Sequence, residues 1–212
     1  MIDYNGIKID LEKFTKIGVK LSGGADSAAV LFLVCNTIVE ENREIDYIQP
    51  FTVQSDIKPW QFKYSQQVVD WMKQRFPTIT FNETLTKTAE SKETYITRQE
   101  ELIEENKLLV QCMFNGITKN PPPEEAVHFP NWDVRVLERD NDGLVRQPGD
   151  FIFWHSPVVN FDKRKITWVY DNFDIHDLFS LTRSCEGYES WDVHCGKCWW
   201  CNERKWAFGK LE

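Results

Sequence analysis

Two clusters of residues combine types and spacing that can do chemistry. The first is Leu21-Ser22-Gly23-Gly24-Ala25-Asp26-Ser27. Two adjacent glycines let a backbone turn sharply and approach a ligand without interference from a Cβ. If the run joins a strand to a helix, the free amides of the helix start and the helix dipole form an anion site. The hydroxyls of Ser22 and Ser27 would add donors to phosphate oxygens. Asp26 brings negative charge, which suits a helix cap or a carboxylate that helps hold a magnesium bridging phosphates. The run is not a Walker loop, because the spaced second glycine and the Gly-Lys-Ser/Thr ending are missing.

The second cluster is Cys185, Cys195, Cys198 and Cys201, separated by nine, two and two residues. Four thiolates suit tetrahedral zinc, and two-residue gaps are the usual bite of a metal knuckle. Gly196 permits the turn, Lys197 offsets thiolate charge, and Trp199 and Trp200 can shield the site. An iron–sulfur cluster is the competing use of four cysteines. His176 and His194 are spare nitrogen donors. A zinc closed by four cysteines has no open position, so it would stabilise the fold and not catalyse. The other two of the six cysteines, Cys35 and Cys112, sit in apolar stretches and read as small buried hydrophobes.

Such clusters need a scaffold, and the hydrophobic pattern supplies one. Ile17 to Leu21 reads as a buried strand, and Asp26 to about Asn42 as a helix that is apolar nearly all round. Ile45 to Val53 is a second strand, Trp60 to Phe76 a helix ended by Pro77, and Thr78 to Phe81 a short third strand. From Ser91 to Val110, the apolar pairs Tyr95/Ile96, Leu102/Ile103 and Leu109/Val110 recur with glutamates between them, which predicts a helix with an acidic face. Gln111 to Asn115 is the next strand. Asn120 to about Asp150 is irregular, and its length suggests a lid. Lys163 to Tyr170 and Asp174 to Leu181 read as short helices. Alternating strands and helices imply a parallel sheet covered on both faces, with ligands at the carboxyl ends of its strands. The expectation is a five-stranded, mostly parallel sheet. Residues 1–181 form its body and residues 182–212 a knuckle packed on the same domain.

Composition narrows the function. The 212 residues carry a net charge of −8, which disfavours bulk nucleic-acid binding, although Lys163-Arg164-Lys165 offers a local basic strip. The longest apolar run, Ala28 to Cys35, is too short to cross a bilayer. Met1 to Asn5 has neither a basic region nor an apolar signal core, so a cytoplasmic protein with no membrane partner is expected. Nine tryptophans and fourteen phenylalanines serve first as core, while Trp60, Phe62, Trp132 and Trp154 are candidates to stack on a planar base.

The Ser-Gly-Gly-x-Asp-Ser run resembles the signature of the PP-loop ATP pyrophosphatases, whose Rossmann-like fold is of the adenine nucleotide alpha hydrolase type. That superfamily cleaves ATP between its α- and β-phosphates and usually transfers AMP to an oxygen of a second substrate. Thr182-Arg183-Ser184-Cys185, Cys195-Gly196-Lys197-Cys198 and Cys201-Asn202-Glu203-Arg204 are similar to the tail of the 7-cyano-7-deazaguanine synthases. Ser156-Pro157 and Asp162-Lys163 are similar to a segment upstream of that tail. The resemblance implies ATP, Mg2+ and Zn2+ as cofactors, with 7-carboxy-7-deazaguanine and ammonia as substrates and the nitrile preQ0 as product. It implies phosphate binding by Leu21, Ser22, Gly23, Gly24, Asp26 and Ser27. Lys163 and Asp26 become the catalytic candidates, with Lys163 stabilising phosphate charge, and a homodimer would be typical.

The chain departs from that pattern at Ala25 and Ala28. It departs again where Gln54-Ser55-Asp56-Ile57-Lys58 replaces a Gln-Arg-His segment, and where Gly116-Ile117-Thr118-Lys119-Asn120 loosely replaces a Gly-Arg-Asn loop. These loops should face the second substrate. Another acceptor (a tRNA base, a small acid or a protein terminus) is therefore an alternative, as is a non-catalytic nucleotide-binding zinc protein.

Overall fold

The structure is a computed structural model of the chain, and it describes residues 1–55, 58–91, 94–133, 152–186 and 192–212. A short antiparallel hairpin, β1 (Ile2–Tyr4) and β2 (Ile7–Ile9), precedes the sheet. Five parallel strands follow: β3 (Lys16–Lys20), β4 (Tyr47–Ser55), β5 (Leu85–Ala89), β6 (Cys112–Phe114) and β7 (Phe153–His155). They are ordered β5-β4-β3-β6-β7, so β3 is central and the chain reverses direction across the sheet between β3 and β6. A crevice must open at that switch point, because the connections leave β3 and β6 towards opposite sides.

The helices are α1 (Ala25–Glu40), α2 (Gln61–Arg75), α3 (Thr94–Glu105), α4 (Pro123–Ala126), α5 (Lys163–Asn172), α6 (His176–Ser180) and α7 (Trp199–Phe208). Alternation along β3 sends Ile17 and Val19 into the main core, which they share with α1, with Val68, Val69 and Met72 of α2, and with Ile166 and Val169 of α5. The opposite face is packed by Leu102 and Ile103 of α3 against Phe51, Val53 and Met113. Burial on nearly all sides explains the missing polar face of α1: twelve of its sixteen residues are buried.

One expectation needs correction. Thr78 to Phe81 is not a strand, since only a single bridge joins Phe81 to Ile48. The strand in that place is β5, at the sheet edge, whose Thr86 and Thr88 face solvent and whose Lys87 pairs with Glu101 and Glu105 of the helix over its other face, so the apolar signal is diluted. The edge strand β7 and the hairpin are three-residue pieces, too short for periodicity to reveal. Of the expected lid, residues 134–150 lie outside the described residues; before them come α4 and a turn. No helix among the described residues is long and apolar enough to cross a membrane.

Candidate functional site

The glycine loop leaves β3 at the switch point and enters α1. Gly23 has φ +74°, and a Cβ there would lie 2.7 Å from the Tyr64 side chain and 3.1 Å from the backbone of Gln61 and Ser65. Only glycine meets both demands. The N-cap of α1 is Gly24, and no side chain caps the helix. Its first amides therefore have no N-cap side chain competing for an anion among the described residues. The two serines brace the loop: Ser22 N donates to Ser27 Oγ at 3.3 Å, and Ser27 Oγ donates to Gly24 O at 3.1 Å.

A third glycine matters as much. At Gly116, just beyond β6, a Cβ would fall 2.5 Å from Ser27 N and 2.7 Å from the Asp26 carbonyl carbon. The segment after β6 thus lies directly on the first turn of α1. Asn115 beside it donates from Nδ2 to Ser156 Oγ at 2.7 Å, tying this segment to the end of β7.

Lys163, the first residue of α5, is 2% exposed. Its Nζ lies 2.7 Å from Asp26 Oδ2 and 3.3 Å from Glu203 Oε2, and Glu203 is fully buried. The two catalytic candidates are therefore in direct contact, 137 residues apart in sequence. Asp26 Oδ1 is buried without a hydrogen bond among the described residues. Arg164 and Lys165 are occupied elsewhere: Arg164 pairs with Asp162 and Glu125, and Lys165 bonds Asn5 O and lies over Trp168.

The Sγ atoms of Cys185, Cys195, Cys198 and Cys201 all lie within 4.8 Å of one another, with Cys195 and Cys201 at 3.9 Å. This cluster can hold a metal ion. Zn–S bonds of about 2.3 Å in a tetrahedron place sulfurs about 3.8 Å apart, whereas a cubane seats each thiolate on a different iron and spreads them further. Hydrogen bonding to Cys185 pushes the Cys198 thiol up to about 11, and the Cys185 and Cys198 sulfurs, with burial, drive Cys201 upward. A bound cation reverses that preference by stabilising thiolates. His194 Nδ1 lies 3.8 Å from Cys201 Sγ, outside the four-sulfur set, and His176 pairs with Asp171. Cys35 and Cys112 are buried, and burial raises both thiols, Cys112 to about 12.

The cysteine cluster is fastened to the loop. Arg183 N donates to Gly23 O at 2.8 Å, and the Arg183 side chain runs over the Trp60 ring to Val193 O. Buried Arg204 bonds Thr182 Oγ1, Phe179 O and Leu211 O, so the segment before the first cysteine, α6, and the chain end share one guanidinium. Desolvation lowers its pKa to about 10.

Between these parts lies a cavity of about 380 Å³, lined by Ser22 and Ser27 of the loop, Phe51, Tyr95 and Gln99, Asn115 and Gly116, and Trp200 of α7. Sequence reasoning gave Arg183, Glu203 and Arg204 no role of their own; it placed the Gly116 loop towards the second substrate without its contact on α1, and gave Trp200 only to the cysteine cluster. Of the tryptophans nominated for stacking, Trp60 is buried beside Tyr64, Trp132 packs near Phe129 and Trp199, and Trp154 packs on the face of the sheet covered by α3. Phe62 is 39% exposed on α2 and does not line the cavity. A larger depression of about 790 Å³ opens at the amino ends of the strands, near Thr15, Arg43 and Asp46, remote from the glycine loop.

A Ser-Gly-Gly-x-Asp-Ser loop at the switch point of a five-stranded parallel sheet, with a C-terminal four-cysteine cluster, gives the chain an architecture that resembles the PP-loop α/β class. Within that class the chain resembles one family: the model of the queuosine biosynthesis protein QueC matches residues 125–212, which include α5 and all four cysteines. No curated protein matches the sequence significantly. Among solved structures, the U34-tRNA thiolase NcsA from Methanococcus maripaludis, solved with its 4Fe–4S cluster, aligns with a TM-score of 0.55 at 12% identity. That alignment covers 98% of this chain and 78% of the thiolase. An NH3-dependent NAD synthetase from Campylobacter jejuni subsp. jejuni NCTC 11168, in complex with nitrate, aligns with a TM-score of 0.43 at 12% identity, covering 79% and 68%.

Proposed function

We propose that the chain is an ATP-dependent carbon–nitrogen ligase that activates the carboxylate of 7-carboxy-7-deazaguanine and converts it with ammonia to the amide and the nitrile. One observation carries the reading: the glycine loop and the helix bearing the last cysteine, remote in sequence, line the same cavity. The QueC match over residues 125–212 supports the choice of acceptor. Residues 1–181 act as the ATP-binding body and residues 182–212 as the zinc-holding extension.

The chemistry follows from the poor electrophilicity of a carboxylate. Its oxygen attacks the α-phosphorus of ATP, the α–β bridging bond breaks, and pyrophosphate leaves with the electron pair. Ammonia then attacks the acyl carbon, AMP leaves, and the amide forms. In a second round the amide oxygen takes AMP; its departure with two protons lost from nitrogen leaves the nitrile. Leu21, Ser22, Gly23, Gly24 and Ser27 cradle the phosphates through amides and hydroxyls. Lys163 holds one oxygen of Asp26 and leaves the other as the atom that would hold magnesium, which when bound would supply positive charge to the phosphates. The four cysteines hold zinc, which keeps α7 and Trp200 in place. The partners are small molecules, the working location is the cytoplasm, and a homodimer is the assembly.

The test is incubation of zinc-loaded protein with ATP, magnesium, ammonium and 7-carboxy-7-deazaguanine, with nucleotides and base followed by mass spectrometry. AMP together with amide or nitrile is the expected result. Intact carboxylate and no AMP, from protein that binds ATP, would overturn the acceptor and leave the nucleotide site standing.

A further inference from the structure

Lys163 sits where three helices meet. From α5, the Tyr170 hydroxyl donates to Ala25 O in the first turn of α1 at 3.0 Å. One turn after Lys163, Thr167 Oγ1 donates to Ala207 O of α7 at 3.0 Å. The ammonium at this junction meets a carboxylate from each of the other two helices. Asp26 Oδ2 of α1 accepts its hydrogen bond at 2.7 Å, and Glu203 Oε2 of α7 stands at 3.3 Å. The two carboxylates differ in setting. Asp26 belongs to the glycine loop, keeps its side chain 20% exposed, and has an Oδ1 that bonds no group among the described residues. Glu203 is fully buried and is not among the residues that line the cavity.

A single carboxylate balances the charge of a buried ammonium; a second one alters where the ammonium can stand. The three protons of an ammonium on a flexible stem can close over both oxygens of one carboxylate. Asp26 would then have neither oxygen to offer a cation. A second acceptor on another helix divides those protons and holds the ammonium to Oδ2. Groups that orient a metal-holding side chain without touching the metal typically change metal affinity by about 10–100-fold when altered. The helix that carries Glu203 is well pinned: Cys201 lies two residues earlier in the four-thiol cluster, and Arg204 bonds Thr182 Oγ1, Phe179 O and Leu211 O.

We propose that Glu203 is a positioning residue for the cation-holding carboxylate: by drawing the Lys163 ammonium onto a second acceptor, it keeps Asp26 Oδ1 open to the divalent cation that accompanies the triphosphate. This rests on the reading of Asp26 given above and adds to it the residue that acts on Asp26 through Lys163. Glu203 in this role touches neither nucleotide nor cation. Its place on α7 makes the cysteine cluster, at the start of the same helix, the anchor of the carboxylate.

The experiment is a titration of Mn2+, followed by electron paramagnetic resonance, into purified protein saturated with an ATP analogue carrying a methylene between the α- and β-phosphorus. No acceptor is present. Glu203→Gln, which keeps the shape and removes the charge, should weaken Mn2+ by about tenfold or more. The affinity of the analogue measured without a divalent cation should stay within about twofold of wild type. In an Asp26→Asn background the same substitution should change Mn2+ affinity by about twofold or less, because the group it acts on is gone. Glu203→Asp, which keeps the charge one methylene further back, should give an intermediate loss and reads out the proposal should Glu203→Gln fail to fold. A merely structural role would lower the melting temperature and leave the Mn2+ affinity of the folded protein unchanged, and that result would overturn the proposal. So would an equal loss in the Asp26→Asn background, or a loss of the same size for the cation-free analogue. Asp26→Asn without effect on Mn2+ would take the cation away from Asp26 and the proposal with it. Absence of AMP with 7-carboxy-7-deazaguanine, beside a Mn2+ loss that depends on Asp26, would overturn the proposed reaction and leave the role of Glu203 standing.

Discussion

Gly116 gives the sharpest test of how the site is built. Its substitution by alanine adds one methyl group 2.5 Å from Ser27 N and 2.7 Å from the Asp26 carbonyl carbon, both backbone atoms at the start of α1. Carbon contacts settle near 3.5–4.0 Å, so the two segments must separate by about 1 Å. No flexible side-chain end is there to give way. Overpacking of this kind costs about 1–3 kcal/mol, which for a domain of this size lowers the melting temperature by about 2–12 °C. The functional loss should exceed the loss of stability. A displacement of about 1 Å in a positioned site can cost about a hundredfold in rate, and the displaced atoms here lie at the end of the glycine loop itself. The assay is ATP-analogue affinity by titration, pyrophosphate release with acceptor, and thermal melting. Gly209→Ala is the control: its φ is +70° but a Cβ there meets nothing within 4 Å, so it should lower stability slightly and leave nucleotide binding intact. A Gly116→Ala protein with wild-type affinity, rate and melting temperature would refute the argument that direct backbone contact between the two segments forms the site.

Three further outcomes follow from the same geometry. Lys163→Met leaves Asp26 and fully buried Glu203 without their shared cation, and should destabilise the fold by about 3–5 kcal/mol in urea titrations, with Lys163→Met/Glu203→Gln recovering part of the loss. If the double variant is no better than the single one, the carboxylates are not the source of the cost. Purified protein should contain about one zinc and no iron by elemental analysis, and chelation should lower both the melting temperature and ATP-analogue affinity, because α7 carries Trp200 into the cavity; affinity untouched by complete metal removal would separate the two. Desolvation lowers the pKa of His155, whose ring stacks on Phe114 at 4.7 Å. The unfolded chain thus binds its proton first, so stability should fall as pH drops below about 6.5. His155→Phe should flatten the fall between pH 6.5 and 5 in urea titrations, and an unchanged slope would assign it to other groups.

Much of the scaffold was legible in the sequence because its signals are local. The eight-residue apolar run of Ala28–Cys35 marks a helix buried on nearly all sides, and the glycines between it and β3 mark the turn. The cysteine spacing reports a metal cluster because three of the four ligands lie on one short turn, where chain geometry alone brings the sulfurs together. The edge strands were harder. In β5 exposed threonines and a lysine replace the β-branched apolar pattern of a central strand, and Thr78–Phe81, which alternates cleanly, makes one bridge because the chain turns away before a ladder can form.

The sequence by itself determined which groups are available: a glycine loop with two hydroxyls and a carboxylate, a four-thiol cluster, and an alternation of strands and helices that requires a parallel sheet. Which groups meet was decided only by the tertiary structure. Lys163 joins Asp26 and Glu203, Gly116 rests on Ser27, Arg183 hangs on Gly23, and Lys20 turns towards Gln99. Each of these contacts joins residues far apart in the chain, and each depends on which strand lies beside which. Strand order in a parallel sheet is fixed by how the whole chain packs its helices over two faces. No local pattern of residues encodes it.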